Sequence, residues 1–347
     1  MLNTSATGAA PEFAQLIDLA SSRMGGQAVV ASDDFFAEKE NLVKPEVPVF
    51  IAGKFTERGK WMDGWESRRK REPGNDWCIV KLGAPGIIRG FNVDTAHFNG
   101  NQPEHCTIEA AELVDEPDAK ALAGSGVSWT TVLDRTRLEP SREHFVAADG
   151  HGRRCTHVRL SIFPDGGVAR LRVYGEVVPD WEWLRSFDKL IDLAGAVNGG
   201  LVIEANNMHF GSRHNLIMPG RAANMGDGWE TRRKRGLTWA GMQPVEYDWC
   251  VVRLGRQGTI RAVEVDTNHF KGNFPESCAI ECCDVGGAAG VPSEGAWRSL
   301  LPRTKLTADR QHVFERELMC AEPSTHARLK IYPDGGVSRL RLHGVPT

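Results

Sequence analysis

Apolar and polar residues alternate over short runs along this chain. Phe91, Val93 and Thr95 are separated by Asn92 and Asp94, and Val263, Val265 and Thr267 repeat the order 172 residues later. A period of two sends alternate side chains to opposite faces, so these runs predict half-buried strands. Gly, Pro and Asn turns separate them, the pattern of an antiparallel sandwich. Helical spacing is rarer. It occurs at Phe13, Leu16, Ile17 and Ala20, and again at Trp183, Phe187, Leu190, Ile191 and Ala194, with Gly199-Gly200 as the C-cap. Both runs predict short packing helices.

The stretch FPDGGV at 163–168 predicts a hairpin. A two-residue turn at Asp165-Gly166 and a four-residue loop over 164–167 give one register. One face then pairs Ile162 with Ala169, Leu160 with Leu171 and Val158 with Val173, which is an apolar core face. The other face pairs Ser161 with Arg170, Arg159 with Arg172 and His157 with Tyr174. In the second half of the chain the same reading opposes Lys330 to Arg339, Arg328 to Arg341 and His326 to His343. Directly opposed cations repel, so this register needs negative charge nearby. Neighbouring carboxylates such as Glu109 and Glu281 would supply it; so would an anionic ligand or a subunit contact.

The chain is a tandem duplication. DGWESRRKR at 63–71 returns as DGWETRRKR at 227–235, and DWCIVKLG at 76–83 returns as DWCVVRLG at 248–255. The spacing grows between the two motifs because 236–247 replaces the shorter 72–75. VDTAHFNGN at 93–101 returns at 265–273 as VDTNHFKGN, and the segment 156–175 returns at 325–344. Two copies are too few and too long for a solenoid. They predict two homologous, mostly β domains, 1–176 and 177–347, with a seam near 176–180.

Composition narrows the class. The content of 41% hydrophobic and 25% charged residues is that of an ordinary globular protein, and a net charge of −3 suggests neither nucleic acid nor an anionic membrane as partner. No apolar run reaches the roughly 18 residues of a membrane helix. The first residues lack the basic-then-apolar order of a secretory signal. The eight cysteines show no zinc spacing, so free thiols in a reducing cytoplasm are expected.

Candidate chemistry lies in the repeated charged motifs. Trp65 and Trp229, with the arginines Arg68, Arg69, Arg232 and Arg233 around them, are candidates for binding substrate, the arginines by holding a planar carboxylate or ureide group. Asp94 with His97, and Asp266 with His269, place a carboxylate three residues from an imidazole. Each is a candidate acid/base pair or a pair of metal ligands, with a structural histidine as the plainer reading. Glu66 and Glu230 are second candidates for acid and base. No HExxH, GxSxG, Walker or GxGxxG pattern occurs, which disfavours those hydrolases, nucleotidases and dehydrogenases.

Together DGWESRRKR, DWCIVKLG, VDTAHFNGN and IFPDGGVARLRVYG, each in two copies, resemble the allantoicase family from about residue 13 to 344. The resemblance implies two jelly-roll β-sandwiches of the galactose-binding-like kind. It implies hydrolysis of the small molecule allantoate to (S)-ureidoglycolate and urea, a step of purine-ureide breakdown, and a homo-oligomer. It implies no required cofactor and leaves stimulation by a divalent cation such as manganese open. A tandem lectin-like binding module without catalysis is the alternative, since fold does not fix function.

Overall fold

The computed structural model describes residues 10–113, 117–149, 152–234, 247–286 and 290–347. Arg235 and all of the inserted segment except Tyr247 lie outside them. The chain divides into two compact units between Val178 and Pro179. Each unit is built around one sheet of eight strands.

The centre of the first unit is the strand Asp76–Asp94, 19 residues long. Its first half pairs with Gln27–Ala31 and Arg154–Phe163. Its second half pairs with Arg170–Val177 and Glu143–Ala147. The strands His105–Ala111 and Thr130–Arg137 extend the first group, and Ile17–Asp18 extends the second. These two groups are the two layers of a sandwich, for a reason of length. A straight strand of that size would span about 60 Å. Yet Ile162 lies opposite Asp76 and Arg170 opposite Asp94, and the chain from 162 to 170 reaches at most about 29 Å. The long strand must therefore bend and serve both layers. It bends near Gly83 and Gly86, where a Cβ would lie 2.4 Å from the Met24 carbonyl oxygen and 2.6 Å from that of Glu176. The second unit repeats the plan around Asp248–Asp266.

This topology replaces the predicted hairpin. Arg154–Phe163 and Arg170–Val177 do not pair with each other; they flank opposite halves of the long strand. The segment between them is an arch from one layer to the other. Hydrogen bonds hold it open: Gly167-Val168 pairs with Glu66 and Trp65, and the Ala169 amide donates to Asp94 O. The apolar face was read correctly, because Val158, Leu160, Ile162, Ala169, Leu171 and Val173 are all fully buried. The opposed arginines are not neighbours. Arg159 pairs with Glu109 at 2.7 Å, Arg328 with Glu281 at 2.6 Å, and Arg172 with Asp18 at 3.4 Å. Internal carboxylates thus answer these charges.

The predicted helices shrink. Glu12–Gln15 is a single 3-10 turn and Trp181–Arg185 a single α turn. Ile17 and Ile191 instead begin edge strands, paired with Gly175 and Gly344. A sheet edge in reach outweighed local helical spacing over so few residues. Gly199, at φ 87°, caps the 3-10 turn Ala196–Asn198. All eight cysteines are free, and only Cys320 is more than slightly exposed.

Candidate functional site

Most of the repeated nine-residue motif serves the arch. Asp63 and Asp227 are buried partners of Arg170 and Arg339, at 2.8 and 2.9 Å. Burial pushes the Asp63 carboxyl up. Hydrogen bonds from Arg170 and the Val49 amide, with the charges of Arg170 and Lys44, hold it below the usual carboxylate range all the same. Trp65 and Trp229 are fully buried, and each indole donates at 2.8 Å to a loop carbonyl, of Asp33 and Asn207 respectively. Neither ring can touch a ligand in solvent. This corrects the expectation of substrate contact: the ring is worth more in the core. Ser67 and Gly166 exchange hydrogen bonds across the arch. The Lys70 amide donates to Asp165, and its ammonium reaches the buried Asp76 at 2.9 Å. Lys234 repeats both contacts with Asp334 and Asp248.

Beside the exposed first arginine, Arg68 or Arg232, two further positions of the motif are open to solvent chemistry. One is the glutamate. Its backbone is clamped in a short ladder, Glu66 against Gly167 and Ala37, Glu230 against Gly336 and Gly211. Its carboxylate accepts from an asparagine amide, Asn101 at 2.8 Å for Glu66 and Asn273 at 2.6 Å for Glu230. Burial raises the Glu66 pKa, against the Asn101 hydrogen bond and the charge of Lys60. The other is the second arginine. Arg69 and Arg233 are exposed, and neither has an ion-pair or hydrogen-bond partner among the described residues.

In the second unit these groups share a cleft of about 770 Å³, lined by Glu230, Arg233, Asn273, Phe274, Glu276 and Lys305 among others. In the first unit the equivalent ground holds two smaller hollows. One, of about 640 Å³, contains Asp33, Phe36, the arginines Arg68, Arg69 and Arg71, and Asp76. The other, of about 390 Å³, contains Gln102, Glu104 and Arg137. Gln102 stands where Phe274 does in the second copy, and Arg137 where Lys305 does.

The predicted Asp/His pairs occupy the loop behind this cleft. Asp94 Oδ1 accepts from the Ala96 amide at 2.7 Å, and His97 Nε2 lies 3.2 Å from Pro48 O. Asp266 caps Asn268 in the same way and pairs with Arg221 at 3.1 Å; His269 Nε2 lies 2.9 Å from Ala222 O. No hydrogen bond joins aspartate to histidine in either copy among the described residues. Both histidines have left-handed backbones, φ 68° and 70°, a conformation that suits a tight loop turn. Each loop then carries a fully buried Phe98 or Phe270 and presents Asn101 or Asn273 to the glutamate. Among the described residues no three His, Cys, Asp or Glu side chains gather as metal ligands. With no third ligand beside them among the described residues, these pairs do not by themselves build a cation site.

Sequence reasoning passed over Asn101, Asn273, Glu276 and Lys305. A signal existed for the asparagines. In NGN against KGN, Asn99 became Lys271 while Asn101 and Asn273 stayed. Glu276 and Lys305 come from separate segments, and only the fold brings them to one cleft.

The fold and cleft define a class: a duplicated, mostly β chain of two sandwich units, with a polar cleft beside the arch of the second that a carboxyl group and a guanidinium line together. The allantoicase repeat matches residues 17–178 and 191–347. A probable allantoicase of Burkholderia mallei is 49% identical over 340 residues, covering 96% of both chains. The allantoicase of Dictyostelium discoideum is 44% identical over 94% of this chain and 86% of its own. The crystal structure of allantoicase from Saccharomyces cerevisiae has a TM-score of 0.77 at 38% identity, over 95% of this chain and 93% of that one. The chain belongs to the allantoicase family. Relatives so named cover 94–96% of it, which does not favour a binding module without catalysis.

Proposed function

We propose that the chain hydrolyses allantoate to (S)-ureidoglycolate and urea, and that the cleft of the second unit is where it does so. One observation carries the reading: Glu230, fixed by Asn273, lines the same cleft as Arg233, a guanidinium without a partner among the described residues. Allantoate is a carboxylate on a carbon that bears two ureido groups. Arg233 holds the carboxylate through two parallel hydrogen bonds. Glu230 gives its proton to the departing ureido nitrogen, and the C–N electron pair leaves with urea. The lone pair of the remaining ureido nitrogen stabilises the electron-poor carbon. Water adds there, and the Glu230 carboxylate takes its proton, which restores the acid. The reacting carbon begins tetrahedral, so no nucleophilic serine or oxyanion hole is required.

Glu230→Gln cannot give the proton. It should lower urea release from allantoate by about 10²–10⁴-fold, with an unchanged circular dichroism spectrum. Full activity in the folded variant would remove Glu230 from the chemistry. The free thiols support a reducing, cytoplasmic setting. Exposed Val47, Val49, Phe50, Ile51 and Phe55 on the first unit support self-association as a homo-oligomer. Light scattering of a variant with Phe50 and Ile51 changed to Ser, giving a smaller species, would test that assembly.

A further inference from the structure

The two units differ at one loop position that controls an arginine. Asp33 Oδ1 accepts from the amides of Arg68 and Phe35, at 3.0 and 3.1 Å. Asn207 Oδ1 accepts from the equivalent amides of Arg232 and His209, at 3.2 and 3.1 Å. The backbone role is the same, so the loop keeps its shape in both copies. The other atom of the side chain differs. In the first unit it is Oδ2, a carboxylate oxygen that holds Arg68 Nε at 2.6 Å. In the second unit it is an amide nitrogen, which donates and cannot accept from a guanidinium. Arg68 and Arg232 are both exposed, but Arg232 has no carboxylate partner among the described residues and stands next to Arg233, which has none either.

We infer that Asn207 leaves Arg232 free beside Arg233, which makes the second unit the stronger carboxylate-binding half of the chain, and that Asp33 pairs Arg68 and leaves the first unit with Arg69 alone. The inference rests on the reading above and adds which repeat takes the anion and what decides it. The ligand class is a small monocarboxylate bearing a ureido group. An uncompensated guanidinium near the cleft favours such an anion, while a paired one carries no net charge to offer.

The test uses the full chain and N-carbamoylglycine, which carries the carboxylate and one ureido group but no second one to expel. Calorimetry should show one molecule bound per chain. Asn207→Asp should raise its Kd about tenfold and raise KM for allantoate similarly, with kcat within twofold. The first unit already carries Asp at this place, so the loop tolerates it. Asp33→Asn should free Arg68 and bring the stoichiometry toward two. An unchanged Kd in Asn207→Asp, two equal sites in the wild type, or an unchanged stoichiometry in Asp33→Asn would each overturn the inference. Absence of urea release by the wild type would instead sink the proposed reaction and leave the binding comparison intact.

Discussion

Truncating Arg233 to alanine should weaken substrate binding and leave the fold alone. The guanidinium is exposed and has no partner within the described protein, so its removal strands no buried carboxylate. Surface changes of that kind usually alter stability by less than about 0.5 kcal/mol. A chain of this size would then shift its Tm by only a degree or two. The lost contact with substrate is a charge-assisted, two-pronged one at a partly open cleft, worth about 2–3 kcal/mol. At 1.4 kcal/mol per tenfold, KM should rise by about 30- to 150-fold. Steady-state urea release over a range of allantoate concentrations measures it, with a melting curve as control. A folded variant with unchanged KM would refute the clamp. A fall in kcat at constant KM would move Arg233 from ground-state binding to the transition state.

Asn273→Ala removes the donor that aims Glu230, so kcat should fall about tenfold or more while KM changes little; an unchanged kcat would leave Asn273 without a positioning role. His269→Ala loses only a carbonyl contact behind the cleft, and its kcat should stay within about tenfold of wild type; a 10²-fold loss with intact fold would return the imidazole to the chemistry. Asp63 has a folded-state pKa below its ordinary value, so its stabilisation is complete above about pH 4 and fades as pH falls through the folded value. Asp63→Asn should therefore be less stable than wild type at pH 7, and the gap should narrow on acidification below pH 4; a constant gap would show that the pair with Arg170 is not the cause. Chelator should leave the melting temperature within about 2 °C, and a collapse would reveal a structural metal.

What the sequence determined by itself was the set of repeating local facts. The duplication, the alternating strands and the apolar faces around Leu160 and Leu171 follow from order and period alone. The family follows too, because its motifs are long and unbroken. The nine-residue motif was legible as constrained but not as divided. Asp63, Trp65, Ser67 and Lys70 are kept for the arch, while Glu66, Arg68 and Arg69 face outward, and nothing in the residue order separates them. Tertiary structure made that division. It also decided against the hairpin at 163–168, because a bent strand reached by both neighbours offered more backbone hydrogen bonds than a local turn could. Asp94 and His97 look like chemistry at a spacing of three. The fold turns each to a different backbone group instead, since a loop must satisfy its own polar atoms first. The cleft joins Glu230 and Arg233 to Asn273, Glu276 and Lys305, which lie tens of residues apart in the chain. Their nearness is a property of strand pairing, and no local pattern encodes it.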